Sequence, residues 1–221
     1  RFSVEWSRIQ PAPDRWDEAA LDHYREMARG ILDRGMTPMV TLHHFTNPNW
    51  IQEQGGWEND QVTSHFQDYV EKVAEGLKEY VSLWCPVNDP NVYAFLAYLL
   101  GDFPPGKEDV KKVYQVMINL VRAQAAAYRV LHRLQPEAKV GPVIHYRAFS
   151  PASRISPLDH LLSRLFQSQF NDFFPRAAST GKLAFPHRRL YLPEVQGTQD
   201  FLGINYYTEE RVAFNPGASE T

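Results

Sequence analysis

The chain has 221 residues, of which 43% are hydrophobic and 22% charged; this is enough to bury a sizeable core and excludes a disordered chain. A net charge of −3 without runs of like charge removes the footprint of a nucleic-acid binder or a polybasic membrane anchor, and no apolar run reaches the roughly 18 residues of a membrane span. The lone Cys85 excludes an internal disulfide and suits a reducing compartment such as the cytoplasm without assigning one.

In chain order, strand-like apolar runs alternate with helical patterns. A strand is expected over Arg1 to Ile9, a helix over Asp17 to Arg34, a strand over Thr37 to Phe45 and a helix over Asp60 to Tyr80. The rhythm continues with a strand ending at Val87, a helix from Val110 to Leu134, a strand from Lys139 to Tyr146, a helix from Pro157 to Ser179 and a strand from Asp200 to Tyr207. Leu21, Tyr24, Ala28, Ile31 and Leu32 repeat at three and four, and Gly35 stands where that helix should stop. Strand, long helix, strand at this spacing predicts βα units with a parallel sheet, and the absence of any low-complexity linker predicts one domain over 1–221.

Such strands fit either a doubly wound sheet or part of an eight-fold barrel. No glycine-rich phosphate loop follows any of them, which counts against the nucleotide-binding doubly wound sheet. Polar residues collect at the carboxyl ends of the expected strands: His43-His44, Asn88-Asp89, His145-Tyr146 and Asn205-Tyr206-Tyr207. That distribution predicts a barrel with its chemistry on one face.

The most informative stretch is Leu83-Trp84-Cys85-Pro86-Val87-Asn88-Asp89-Pro90-Asn91, where Pro90 stops an apolar run and leaves an amide and a carboxylate at its end. It resembles the W-x-x-x-N-E-P-N segment of family 1 glycoside hydrolases, the retaining β-glucosidase and β-galactosidase family. Further pieces follow in the family's order: Arg1-Phe2-Ser3-Val4-Glu5-Trp6, Thr41-Leu42-His43-His44-Phe45, Gly55-Gly56-Trp57, Phe103-Pro104-Pro105-Gly106, Asn171-Asp172-Phe173-Phe174 and Asp200 to Tyr207. The resemblance covers essentially the whole chain. It implies an incomplete (β/α)8 TIM barrel of about five of the eight strand–helix units, strands two to six, with the natural amino terminus upstream.

The resemblance also implies roles. Asp89 stands where the family has the general acid/base glutamate, one methylene shorter, and Asn88 where it contacts the sugar 2-hydroxyl. Arg1 and Tyr207 match the pair that supports the nucleophilic carboxylate. His44, Phe45, Asn91 and Asn205 match glycone or aglycone neighbours, and His145 is a rim candidate. No T-E-N-G segment, which carries the family's nucleophile, occurs in the 221 residues. The partner implied is a β-glycoside or oligosaccharide, with no cofactor and no metal; His43 and His44 point to opposite faces of a strand and cannot readily chelate one ion.

Two functions compete. One is a retaining β-glycosidase that hydrolyses terminal β-linked sugars; the other is a non-catalytic carbohydrate-binding barrel whose acid/base has become Asp89. Open barrel edges predict self-association in either case. Trp6, Trp57 and Trp84 are expected in the core, as is Cys85, which has no acid/base partner beside it.

Overall fold

The computed structural model describes residues 1–215. Its first strand, β1 (Phe2–Ser3), is followed by a single helical turn, α1 (Trp6–Ile9), and then by α2 (Glu18–Leu32). The expected strand over Arg1 to Ile9 is therefore cut short. The Glu5 carboxylate accepts from Ser7 N and Oγ, and Trp6 Nε1 donates to Gln10 Oε1 at 3.0 Å, so local polar contacts hold these residues in a turn.

β2 (Met39–His43) comes next, then α3 (Asn49–Glu53), α4 (Val62–Leu77) and β3 (Leu83–Val87). α5 (Pro90–Tyr98) and the long α6 (Val110–Leu134) lead to β4 (Lys139–Val140) and β5 (Val143–Pro151). α7 (Pro157–Phe166) runs through a π-helical turn, Gln167–Asn171, into α8 (Phe173–Thr180). The expected helix over Pro157 to Ser179 is thus interrupted. Asn171 uses its amide to bind Arg147 O at 2.6 Å and its Oδ1 to accept from Arg147 N at 3.2 Å, which pulls that turn onto β5. A hairpin of β6 (Lys182–Ala184) and β7 (Arg189–Tyr191) precedes β8 (Gly203–Val212).

β1, β2, β3 and β4 pair in parallel in chain order, and β5 pairs in parallel with β8. β4 and β5 are two segments of one strand. The bridge Asn88–Val143 continues the β3 ladder onto β5, and Asp200 N and Gly203 N donate to Val140 O and Pro142 O on the other side. The break falls at Gly141, where a Cβ would stand 2.2 Å from Phe201 O. Five parallel strand tracks in sequential order with helical crossovers make an open portion of a (β/α) barrel, with β1 and β8 as its outer strands.

Helix ends follow their sequence signals. Asp17 caps α2 by accepting from Ala20 N at 2.9 Å, and Ser156 caps α7 with Pro157 at its first position. α2 buries Leu21, Tyr24 and Ala28; α4 buries Phe66, Tyr69, Val70, Val73 and Leu77. Trp6, Trp57 and Trp84 are fully enclosed, each burial contributing on the order of 2–3 kcal/mol. Tyr69 stacks on Trp6 at 5.1 Å and its hydroxyl lies within bonding distance of Val4 O (2.9 Å) and Leu42 O (3.1 Å), tying α4 to the β1 and β2 tracks. Cys85 is buried, and desolvation pushes its thiol up to about 12, so it is an inert core residue at neutral pH.

Candidate active site

The parallel ladder brings the ends of β2 and β3 together with the early part of β5 and of β8, at the level of His145 and Asn205. Asn88 and Asp89 follow β3 directly. Asn88 N donates to His43 O at 3.0 Å and Asp89 N to Val143 O at 2.7 Å, so both residues are pinned between neighbouring strands. Asp89 adopts the left-handed conformation (φ 47°, ψ 50°). The following Pro90 disfavours the right-handed helical region, and aspartate tolerates the left-handed one better than most residues. The turn starts α5 at once, with Asp89 O accepting from Tyr93 N, and leaves the Asp89 side chain facing the strand ends.

Asn205, on β8, is the residue that meets it. Its Nδ2 donates to Asp89 Oδ1 at 3.0 Å, to Asp89 Oδ2 at 3.1 Å and to Asn88 Oδ1 at 3.2 Å. Its Oδ1 accepts from Arg1 Nη2 at 3.5 Å. Asn88 and Asp89 are 1% and 6% exposed, and Asn88 Nδ2 reaches no acceptor at hydrogen-bonding geometry among the described residues.

Desolvation raises the Asp89 pKa above the usual aspartate value. The Asn205 amide, the His145 imidazole, the Asn88 amide and the His44 imidazole work in the opposite direction, and burial wins. His44 is exposed and half-fixed: its Nδ1 pairs with Ser3 Oγ at 2.9 Å, and its pKa is lowered mainly by desolvation against the pull of Asp89. His145, on β5, is likewise lowered by desolvation, with Asp89 opposing.

Phe45 sits beyond β2 with φ 73°, its ring stacked on Tyr93 at 6.3 Å and tilted against Phe103 at 5.5 Å. It walls a cavity of about 290 Å³ together with Thr46, Asn47, Gln52, Phe103 and Pro104. Tyr207 is 69% exposed and packs its ring on His145 at 4.9 Å, without a hydrogen bond to any described residue. Asn91 requires a correction. It was expected to face the aglycone, but it is 0% exposed and its Nδ2 is committed to His145 O (2.7 Å) and Phe170 O (3.0 Å), so it holds α5 to β5 and the π-helical turn.

His43 faces away from this cluster. It is buried against Trp57, Phe66 and Tyr93 and bonds Asn47 Oδ1 at 3.2 Å; burial drives its pKa down to about 3. Three neighbours escape sequence reasoning. Ser3 holds His44, and Arg147 donates to His145 Nε2 at 3.1 Å while pairing with Glu210 at 2.7 Å. Arg147 and Glu210 lie in no quoted motif, and Ser3 lies in one without a role read from it; strand register brings each to its partner.

The family model described as Glycosyl hydrolase family 1 matches residues 1–221. Beta-glucosidase A of Thermotoga maritima is 32% identical over 99% of this chain and 52% of its own length, and human cytosolic beta-glucosidase is 28% identical over 97% and 52%. Among solved structures, the beta-glycosidase from Pyrococcus horikoshii superposes with a TM-score of 0.89 at 38% identity, covering 97% of this chain and 50% of that one. The Thermotoga maritima beta-glucosidase in complex with deoxynojirimycin gives 0.88 at 31%, covering 97% and 51%. The chain thus spans about half the length of the relatives it matches, and an open portion of a (β/α)8 barrel is what that half contains. With 97% of its length superposing on each of these structures and every residue inside the family match, the chain belongs to glycosyl hydrolase family 1.

Proposed function

We propose that this chain carries the acid/base half of a retaining β-glycosidase site acting on terminal β-linked sugars, with Asp89 as the proton donor and acceptor. The observation that supports this most is the setting of Asp89: a buried carboxyl at the end of β3, its pKa raised by desolvation, held by an amide from a distant strand. A carboxyl that keeps its proton to higher pH can give it to the glycosidic oxygen, and once ionised it takes a proton from the attacking water. The Asn88 amide, which also acts on the Asp89 carboxyl, suits the sugar 2-hydroxyl, a bond that strengthens in the transition state. His44 Nε2 is free of bonds to described residues and suits another hydroxyl, with Phe45 as an apolar wall. Arg1 and Tyr207 flank Asn205 and His145, where a second carboxylate would be supported.

A retaining mechanism needs that second carboxylate about 5–5.5 Å from the first. No T-E-N-G segment occurs in these residues, so the 221-residue chain is expected to bind glycosides without measurable turnover of an aryl β-glucoside. The shortened side chain at position 89 favours a second reading, a carbohydrate-binding barrel without catalysis. Both readings require a sugar site. Calorimetric titration with deoxynojirimycin tests it: saturable binding, weakened about tenfold by Asn88→Ala or His44→Ala, is the expected result, and no binding by the unaltered chain contradicts both readings.

A further inference from the structure

α7 is amphipathic with its apolar face turned outward. Its buried side chains, Asp159 and Ser163, stand four apart on one face, whereas Leu158, Leu161 and Leu165, spaced at three and four, are 47%, 62% and 41% exposed. The polar face is inside because the fold uses it. Asp159 accepts from Ser153 N, Ser156 Oγ and Phe214 N, each at 3.0 Å, and so ties the turn after β5 and the chain beyond β8 to the helix. These three donors fix the helix rotation and leave the leucines in solvent. Ile155, just before the helix, is 92% exposed, and Phe166 at its end is 41% exposed. Single exposed apolar residues are ordinary, but a stripe of them marks an interaction surface.

An apolar cavity of about 170 Å³ adjoins the stripe, walled by Leu165 and Phe166 on one side and by Phe185 and Pro186 on the other. Exposed arginines stand on both sides of it. Arg154 and Arg164 are exposed beside the leucines, and Arg188 and Arg189 are exposed on the turn that carries Pro186. None of the four pairs with a carboxylate among the described residues. The nearby acids are Asp159, which is buried, Glu210, which lines a neighbouring cavity with Phe166 and is paired with Arg147, and Glu108 and Asp109 just before α6.

We propose that this face docks on an anionic lipid surface, with Ile155, Leu158, Leu161, Leu165 and Phe166 entering the headgroup–acyl boundary and the four arginines meeting the anionic headgroups. Apolar residues on one side and arginines alongside are the makeup of a helix that lies in the interface plane. Two copies meeting through the same face would bring like charges together, which disfavours a second molecule as the occupant. No helix among the described residues is long and apolar enough to cross a membrane. The arginines are scattered between positions 154 and 189, so no charge run announces this surface in the sequence.

Flotation with vesicles rich in phosphatidylserine, against vesicles of phosphatidylcholine alone, tests the proposal. The protein is expected to float with the first and largely not with the second. Leu161→Ser with Leu165→Ser should lower partitioning about tenfold or more, and Arg154→Glu with Arg164→Glu by about fivefold or more per arginine, with unchanged melting temperatures in both cases. Should the leucine variant misfold, the arginine variant still decides. Failure to float with anionic vesicles overturns the proposal, as does equal partitioning into the neutral ones. A dimer seen by light scattering that the leucine variant dissociates, without vesicle binding, would assign the face to a second copy and also overturn it.

Discussion

Asn205 Nδ2 lies 3.0 and 3.1 Å from the two carboxylate oxygens of Asp89, 116 positions earlier in the chain. One amide from β8 thereby fixes the only carboxyl group at the end of β3, and through Oδ1 it also reaches Arg1 beside β1. Replacing this amide leaves a buried carboxylate short of donors. Asn205→Leu is expected to cost about 1–3 kcal/mol at pH 7, read by urea denaturation. The loss should shrink as the pH falls and Asp89 becomes neutral. A loss that does not change with pH would separate Asn205 from the Asp89 charge.

Asp89→Glu moves the carboxyl forward by about 1.5 Å, one C–C bond. If Asp89 is an impaired acid/base, then with a T-E-N-G strand supplied by a complementary fragment this substitution should raise hydrolysis of an aryl β-glucoside on the order of a hundredfold, the usual penalty for a misplacement near 1 Å. Turnover that is absent in both forms would favour the carbohydrate-binding reading.

Much of the fold was legible because hydrophobic period and caps agree with the tertiary structure. α6 spans Val110–Leu134 as its periodicity predicts, and β2 and β3 fall inside their expected ranges. The first nine residues were not legible as strand and turn, since alternating apolar residues look alike in both until the Glu5 side chain is seen to cap the turn. β5 and β8 run on to Pro151 and Val212, beyond the expected ends, because each pairs with the other and hides what its own polar sequence does not advertise. Asn88 and Asp89 stood out because proline ends the strand beside them. Ser3, Arg147 and Glu210 did not, because their places are set by register between distant strands.

His43 sets a separate acid limit. Its folded pKa, about 3, lies below the ordinary 6.5, so the neutral ring favours folding above about pH 6.5, and that advantage drains away as the pH falls from there toward 3. His43→Gln should flatten the fall in stability across this window, measured by thermal melts at stepped pH. An unchanged pH slope would show that His43 is not what acid attacks there.

β1 and β8 leave backbone groups open along the sheet edges, and Ile204, Tyr206 and Tyr207 on β8 are 57%, 59% and 69% exposed. Self-association through these edges is expected as concentration rises. Ile204→Lys should reduce it, read by size-exclusion chromatography with light scattering. A monodisperse monomer at all concentrations would show that the open edges are self-sufficient.

Whether Asp89 is a proton-donating carboxyl in a sugar site is decided by carbon-detected NMR titration of its side-chain carboxyl. The expected midpoint lies above the aspartate reference of about 3.9 and shifts when deoxynojirimycin is added, whereas that of Asp159, whose pKa is lowered by backbone hydrogen bonds, stays below the reference and does not respond. An Asp89 midpoint at or below the reference that is indifferent to the ligand would show that Asp89 is neither raised by burial nor part of a sugar site.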